Sequence, residues 1–208
     1  MKIKQLLLAV SGVLLTATAF AGTSPAQISA ARSAGNLNEA WVSGASAPTF
    51  MLYNGYLAGC DAGSMTVYTT GTNTGRVGSL GNFMAYACTR GGTPSVVYHT
   101  VSGGSLFAFL PHTTGEFRDR LGEVGSNSCT LAAPAAGGIA ETYNGCALSG
   151  AAAYPIAVDA GPARPAGGFS DVESSAFGSI AGDVAANGTE SEALIGQAFG
   201  VAVNTSLY

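Results

Sequence analysis

The chain has 208 residues, of which 47% are hydrophobic and 10% charged, with a formal net charge of −4. The apolar fraction is enough for a core and excludes a chain disordered throughout. The low, acidic charge excludes a nucleic-acid partner, because phosphate-backbone binding needs a basic face that six arginines and two lysines cannot assemble here.

The first residues have the layout of an export signal. Lys2 and Lys4 form a basic start, Leu6 to Ala17 an apolar stretch, and Ala19-Phe20-Ala21 a small-x-small cleavage site. Residues 1–21 are therefore read as a removable signal peptide, and the apolar stretch is too short to serve as a spanning anchor. Cleavage removes both lysines, so the exported chain of about 185 residues is more negative still. Its cations are Arg32, Arg76, Arg90, Arg118, Arg120 and Arg164. The expected location is periplasmic or secreted, with no membrane-spanning segment after signal removal.

Residues 22–39 form a small, polar leading segment, either a short helix around Ala26 to Ala34 or a flexible arm. Ala40 to Ser43 reads as a strand that runs into the small-residue turn Ser43 to Pro48. The apolar spacing of Phe50, Tyr53 and Leu57 then marks a helix, with Pro48 suited to its first turn. "SMTVYTTG" reads as a strand, and "GSLGNFMAYAC" as a strand or short helix. In the next unit Val96, Val97 and Tyr98 make a buried strand, Ser102-Gly103-Gly104 a turn, and Ser105 to Leu110 the start of an apolar helix.

Thr113 to Arg164 is irregular and reads as an insertion, with Arg118-Asp119-Arg120 as a solvated helical turn and "AYPIAVDAG" as a strand. Cys60, Cys88, Cys129 and Cys146 allow three disulfide pairings in an exported chain. Loop-closure cost favours Cys60 with Cys88 and Cys129 with Cys146. Gly168 to Ser170 ends a further strand and aims Asp171 beyond it. The apolar run from Gly196 to Tyr208 is a last β-rich segment.

Ser43 to Pro48, Ser102 to Gly104, and Ser170 to Asp171 each follow a predicted strand, and in open α/β sheets the carboxyl ends of strands are where ligands bind. Helix N-terminal N–H groups bind an anion without lysine. A carboxylate beside such an anion fits when the anion carries a proton, whose hydrogen bond Asp171 accepts while repelling an anion with none. The structural alternative for Asp171 is a helix N-cap before "VESSAF". His99 and His112 lack ligand spacing and are read as structural, so no metal or other cofactor is expected. No Gly-x-Ser-x-Gly, Ser-x-x-Lys or His-Glu-x-x-His occurs, so no enzyme is expected.

"SGASAPTFMLY", "VSGGSLFAFL", "GGFSDVES" and "AFGVAVN", in that order, resemble the phosphate-type periplasmic binding proteins of ABC transporters. The resemblance implies an α/β fold, the first lobe of a two-lobed type 2 binding protein with disulfide-bearing insertions. It places that lobe at 40–200, with 201–208 as the start of a crossover to a second lobe that is not present. Ser46 and Ala47 fall on the family's first phosphate-contacting pair, Ser102 and Gly103 on its serine-glycine turn, and Asp171 on its carboxylate. The implied function is capture of a small oxyanion, phosphate first, with an ABC permease as partner. Two departures stand out: Ala47 replaces a larger residue and Phe169 a small one. They favour the competing reading, a secreted structural or adhesive protein that keeps the fold without the ligand site.

Overall fold

A computed structural model describes residues 22–71, 76–77, 80–116, 119–126, 129–132, 141–149 and 165–187. The signal peptide at 1–21, the strand "AYPIAVDAG" and the segment 201–208 lie outside these residues. The fold is mixed α/β. The strands are β1 (Asn38–Gly44), β2 (Thr66–Thr69), β3 (Phe83–Arg90), β4 (Thr93–Thr100), β5 (Arg120–Leu121), β6 (Thr130–Leu131), β7 (Thr142–Asn144), β8 (Leu148–Ser149) and β9 (Gly167–Phe169). Seven of them form one sheet in the order β6-β7-β2-β3-β4-β1-β9, and β5 pairs with β8. Pairing is parallel for β4–β1, β1–β9 and β2–β7, and antiparallel for β2–β3, β3–β4 and β6–β7.

The central strands are buried on both faces, and side-chain alternation divides the core in two. On one face Trp41, Val96 and Tyr98 pack with Ile28, Leu121 and Val124. On the other, Met84, Tyr86, Cys88 and Val97 pack under Tyr56. The segment "GSLGNFMAYAC", open between strand and helix in sequence, contributes the strand β3. Its alternation puts Ala85 and Ala87 on the side where Trp41 stacks on Tyr98, ring centroids 4.3 Å apart at 6°. The β3–β4 hairpin turns at Gly91-Gly92 with φ of 57° and 79°, the left-handed pair that a two-residue turn between twisted strands requires. The Asp61 carboxylate accepts both turn N–H groups at 2.9 Å. Hydrogen bonds from Gly92, Thr89 and Gly91 hold its carboxyl below the usual range.

The leading segment is a packed helix, α1 (Pro25–Ser33), started by a capping box between Ser24 and Gln27. Ile28 and Ala31 are buried beneath it. Arg32 in its last turn donates to Glu39 at 2.5 Å and to the Val124 carbonyl at 2.8 Å, while Tyr98 donates to Glu39 at 2.6 Å. Burial works against the Arg32 charge, but Glu39, Tyr98 and Glu123 together outweigh it and raise the guanidinium further. Helix α2 (Thr49–Ala58) forms where the apolar spacing places it, but with a different buried face. Thr49 and Tyr56 are buried and Leu52 and Tyr53 half-buried, whereas Phe50 is 66% exposed and Leu57 39%. The aromatic contacts decide this, since Tyr53 meets the Tyr86 ring edge-on at 5.6 Å and Arg90 covers Tyr56 at 4.1 Å.

The apolar helix expected from Ser105 is instead two short turns, a 3-10 turn Ser105–Ala108 and α3 (Leu110–Thr113). Phe109, at φ −106°, ends the 3-10 turn, and Pro111 lies inside the short helix that follows. Arg120 is in a strand rather than a helical turn. Its guanidinium lies 4.7 Å over the Trp41 ring, while Asp119 is exposed and Arg118 lies outside the described residues. The region read as an insertion thus feeds Leu121, Val124 and Cys146 into the core and extends the sheet through β6 and β7. Disulfides join Cys60 to Cys88 and Cys129 to Cys146, with Cα atoms 5.8 and 4.2 Å apart. None of the described helices is long and apolar enough to cross a membrane.

Candidate functional site at the carboxyl edge of the parallel strands

Strand β1 lies between β4 and β9, parallel to both, with Ser43 opposite Thr100 and Gly44 opposite Phe169. The chain leaves all three strands at one edge, so the loops carrying Ser46 and Ala47, Ser102 and Gly103, and Asp171 are neighbours. Parallel pairing, which one sequence pattern cannot specify, is what gathers them.

Gly44 begins the first loop at φ 121°, and a Cβ there would lie 2.1 Å from the Phe169 carbonyl oxygen. Only glycine fits both the angle and the approach. The same carbonyl accepts the Ala45 N–H at 2.7 Å, which ties the first loop to the third. Thr49 N–H donates to Ser46 O at 3.0 Å and Leu52 N–H to Pro48 O at 2.8 Å, and no side chain caps α2 at Pro48. Ser46 is exposed and Ala47 half-buried.

In the second loop Gly104 N–H closes on Val101 O at 3.2 Å, leaving Gly103 exposed and Ser102 half-buried. The 3-10 turn that follows is clamped to the sheet, because the buried Ser43 hydroxyl donates to Phe107 O at 2.7 Å. Gly168 makes room for it, since a Cβ there would lie 2.4 Å from Ala108 Cα.

In the third loop Ser170 turns the chain by accepting the Val172 N–H at 3.2 Å, an ST turn. Asp171 is exposed, and its Oδ1 accepts a hydrogen bond from the Ser105 hydroxyl of the second loop. It does not cap a helix. The 3-10 helix Ser174–Ala181 has Glu173 at its N-cap, without a side-chain bond. The structure therefore joins the carboxylate to Ser105, which sequence reasoning placed in a helix start. The second serine of "SGGS" was the available signal. Facing outward, this pair offers carboxylate lone pairs beside exposed glycine backbone, and can accept from a protonated oxygen.

Three of the described cations are committed elsewhere in the fold. Arg32 is engaged by Glu39, Arg90 by Tyr56 and Arg120 by Trp41, while Arg76 is exposed and Arg118 and Arg164 lie outside the described residues. A shallow concavity of about 390 Å³ lies at the opposite, amino ends of β1 and β4, where Glu39 is already committed to Arg32 and Tyr98. Among the described residues no three His, Cys, Asp or Glu side chains are grouped to hold a metal ion. His112 sits in α3 and His99 is buried in β4, and neither belongs to such a group. Comparison with protein-family models, curated proteins and solved structures finds no match to this chain.

Proposed function

We propose that this chain is an exported solute-binding protein of the two-lobed periplasmic type 2 kind, whose first lobe captures a small oxyanion, phosphate first, for ABC-type uptake. The observation that supports it is the gathering of three strand-end loops at one edge, with Asp171 bonded across loops by Ser105 instead of capping a helix. Backbone N–H groups of the first two loops would hold the anion's bare oxygens, and Asp171 would accept from its protonated one. Selectivity then follows from charge, because a carboxylate repels an oxyanion that carries no proton at neutral pH.

The second reading is a secreted structural or adhesive protein that keeps the fold without using the edge. Phe50 and Val172, 66% and 44% exposed beside the first and third loops, favour it. Calorimetric titration of the signal-free, disulfide-intact chain with phosphate and with sulfate separates the two. Phosphate heat that saturates, and that exceeds sulfate's, supports capture. No heat with millimolar phosphate overturns it and leaves the structural reading.

A further inference from the structure

His99 stands one residue from the end of β4, with no solvent exposure, and the Ala45 backbone of the first loop lies close to its ring although neither ring nitrogen completes a full hydrogen bond. Register places it beside Val42 of β1 and Met84 of β3, and alternation puts it on the α2 side of the sheet with Val97. Gly44 presents no side chain on that side. Across the gap the Phe169 ring meets His99 edge-on, with centroids 6.3 Å apart at 80°. The Phe169 carbonyl holds the Ala45 N–H, so His99 lies beneath a backbone bond that ties the first loop to the third. Phe169, a departure from the resembled family's small residue, gains a packing partner here.

Among the described residues none supplies an imidazolium with a counter-charge. On the His99 side of the sheet the titratable neighbours are the phenols of Tyr86 on β3 and of Tyr53 and Tyr56 on α2, each raised by burial and neutral in acid. Val42 on β1 and Phe169 on β9 carry none. Glu39 and Arg90 lie at the far ends of β1 and β3, Glu39 taken by Arg32 and Arg90 by Tyr56. Asp171 and Glu173 of the third loop are exposed. Burial accordingly pulls the imidazole down to about 4, and the Ala45 backbone, which favours the charged form, only partly offsets it.

We propose that His99 is an acid-operated latch: neutral, it lets the first and third loops close over it, and protonated, it forces them apart. As a device for releasing ligand this rests on the oxyanion reading, whereas the loop opening itself does not. The experiment is ligand-free, so its failure and the failure of oxyanion capture are told apart.

The test follows the histidine ring-proton resonances of the whole signal-free chain by NMR, together with amide exchange of residues 44–49 and 168–174, from about pH 7 to about pH 3.5. The expected result is a His99 signal that stays neutral until about pH 4. Proton linkage between that value and an open-state value of 6.5 lowers loop protection by on the order of thirtyfold between about pH 6 and about pH 4. The β3–β4 hairpin amides stay protected over this range, and in His99→Gln the loop response disappears. A His99 titrating near 6.5, loops that open together with the hairpin, or an unchanged loop response in His99→Gln each overturns the latch. If the variant does not fold, the wild-type titration and exchange data decide alone.

Discussion

Gly168→Ala tests how the candidate site is built. Gly168 is not among the glycines with positive φ, so alanine is acceptable to the backbone and the substitution perturbs packing alone. The added Cβ would lie 2.4 Å from Ala108 Cα and 2.6 Å from its carbonyl oxygen, against the roughly 3.5–4.0 Å that carbon contacts prefer. The 3-10 turn has to retreat by about 1 Å, which overpacks the sheet by about 1–3 kcal/mol. Retreat also strains the 2.7 Å Ser43–Phe107 bond, whose loss adds about 1 kcal/mol. Thermal unfolding should show a loss of about 2–4 kcal/mol, or a Tm lower by roughly 5–15 °C for a chain of this size. Because the nearest atoms are backbone, Ala108→Gly in the same chain should not restore stability. A Tm within about 1 °C of wild type, or full rescue by Ala108→Gly, would refute the clamp and with it the reason Ser105 reaches Asp171.

Asp171→Asn should raise sulfate binding relative to phosphate by titration calorimetry. A buried charge-assisted bond would give ten- to a hundredfold, but Asp171 is exposed, so about two- to fivefold is expected, and an unchanged ratio rejects the selectivity role. Replacing Cys60 and Cys88 together by alanine should cost about 3–4 kcal/mol by chain entropy for a 28-residue separation, read by urea unfolding, and Cys129 with Cys146 nearly as much. Asp61→Ala should speed amide exchange at Gly91 and Gly92. In wild type, where the Asp61 value is lowered from 3.8, that protection is present above about pH 3.8 and lost as pH falls through the lower folded value. Equal exchange in the two proteins at neutral pH would show that the turn needs no carboxylate.

Local pattern carried much of the architecture. The β1 and β4 strands, the Ser102–Gly104 turn and the existence of α2 were legible in the sequence because each depends on short-range alternation, helical spacing or turn chemistry. So was the neighbour pairing of the cysteines, where short loops are cheapest to close. The 3-10 turn at Ser105 was not, because apolar residues at that spacing suit a helix, whereas long-range contacts hold this turn to the sheet, Ser43 bonding Phe107 and Ala108 seating against Gly168. Which face of α2 is buried was decided by Tyr86, more than 25 residues further along, through Tyr53 and Tyr56. The role of Arg120 followed from the Trp41 ring it covers, and the place of the 113–164 region in the core from the sheet edge that β6 and β7 extend. The candidate site divides in the same way. Sequence marked Ser43 to Pro48, Ser102 to Gly104 and Ser170 to Asp171 as strand-end loops by local chemistry, and a family resemblance picked out Ser46, Ala47, Ser102, Gly103 and Asp171 within them. Tertiary structure alone placed β1 between β4 and β9, set Ser105 on Asp171 and buried His99 beneath Phe169, because parallel register is a long-range property with no signature in any single strand.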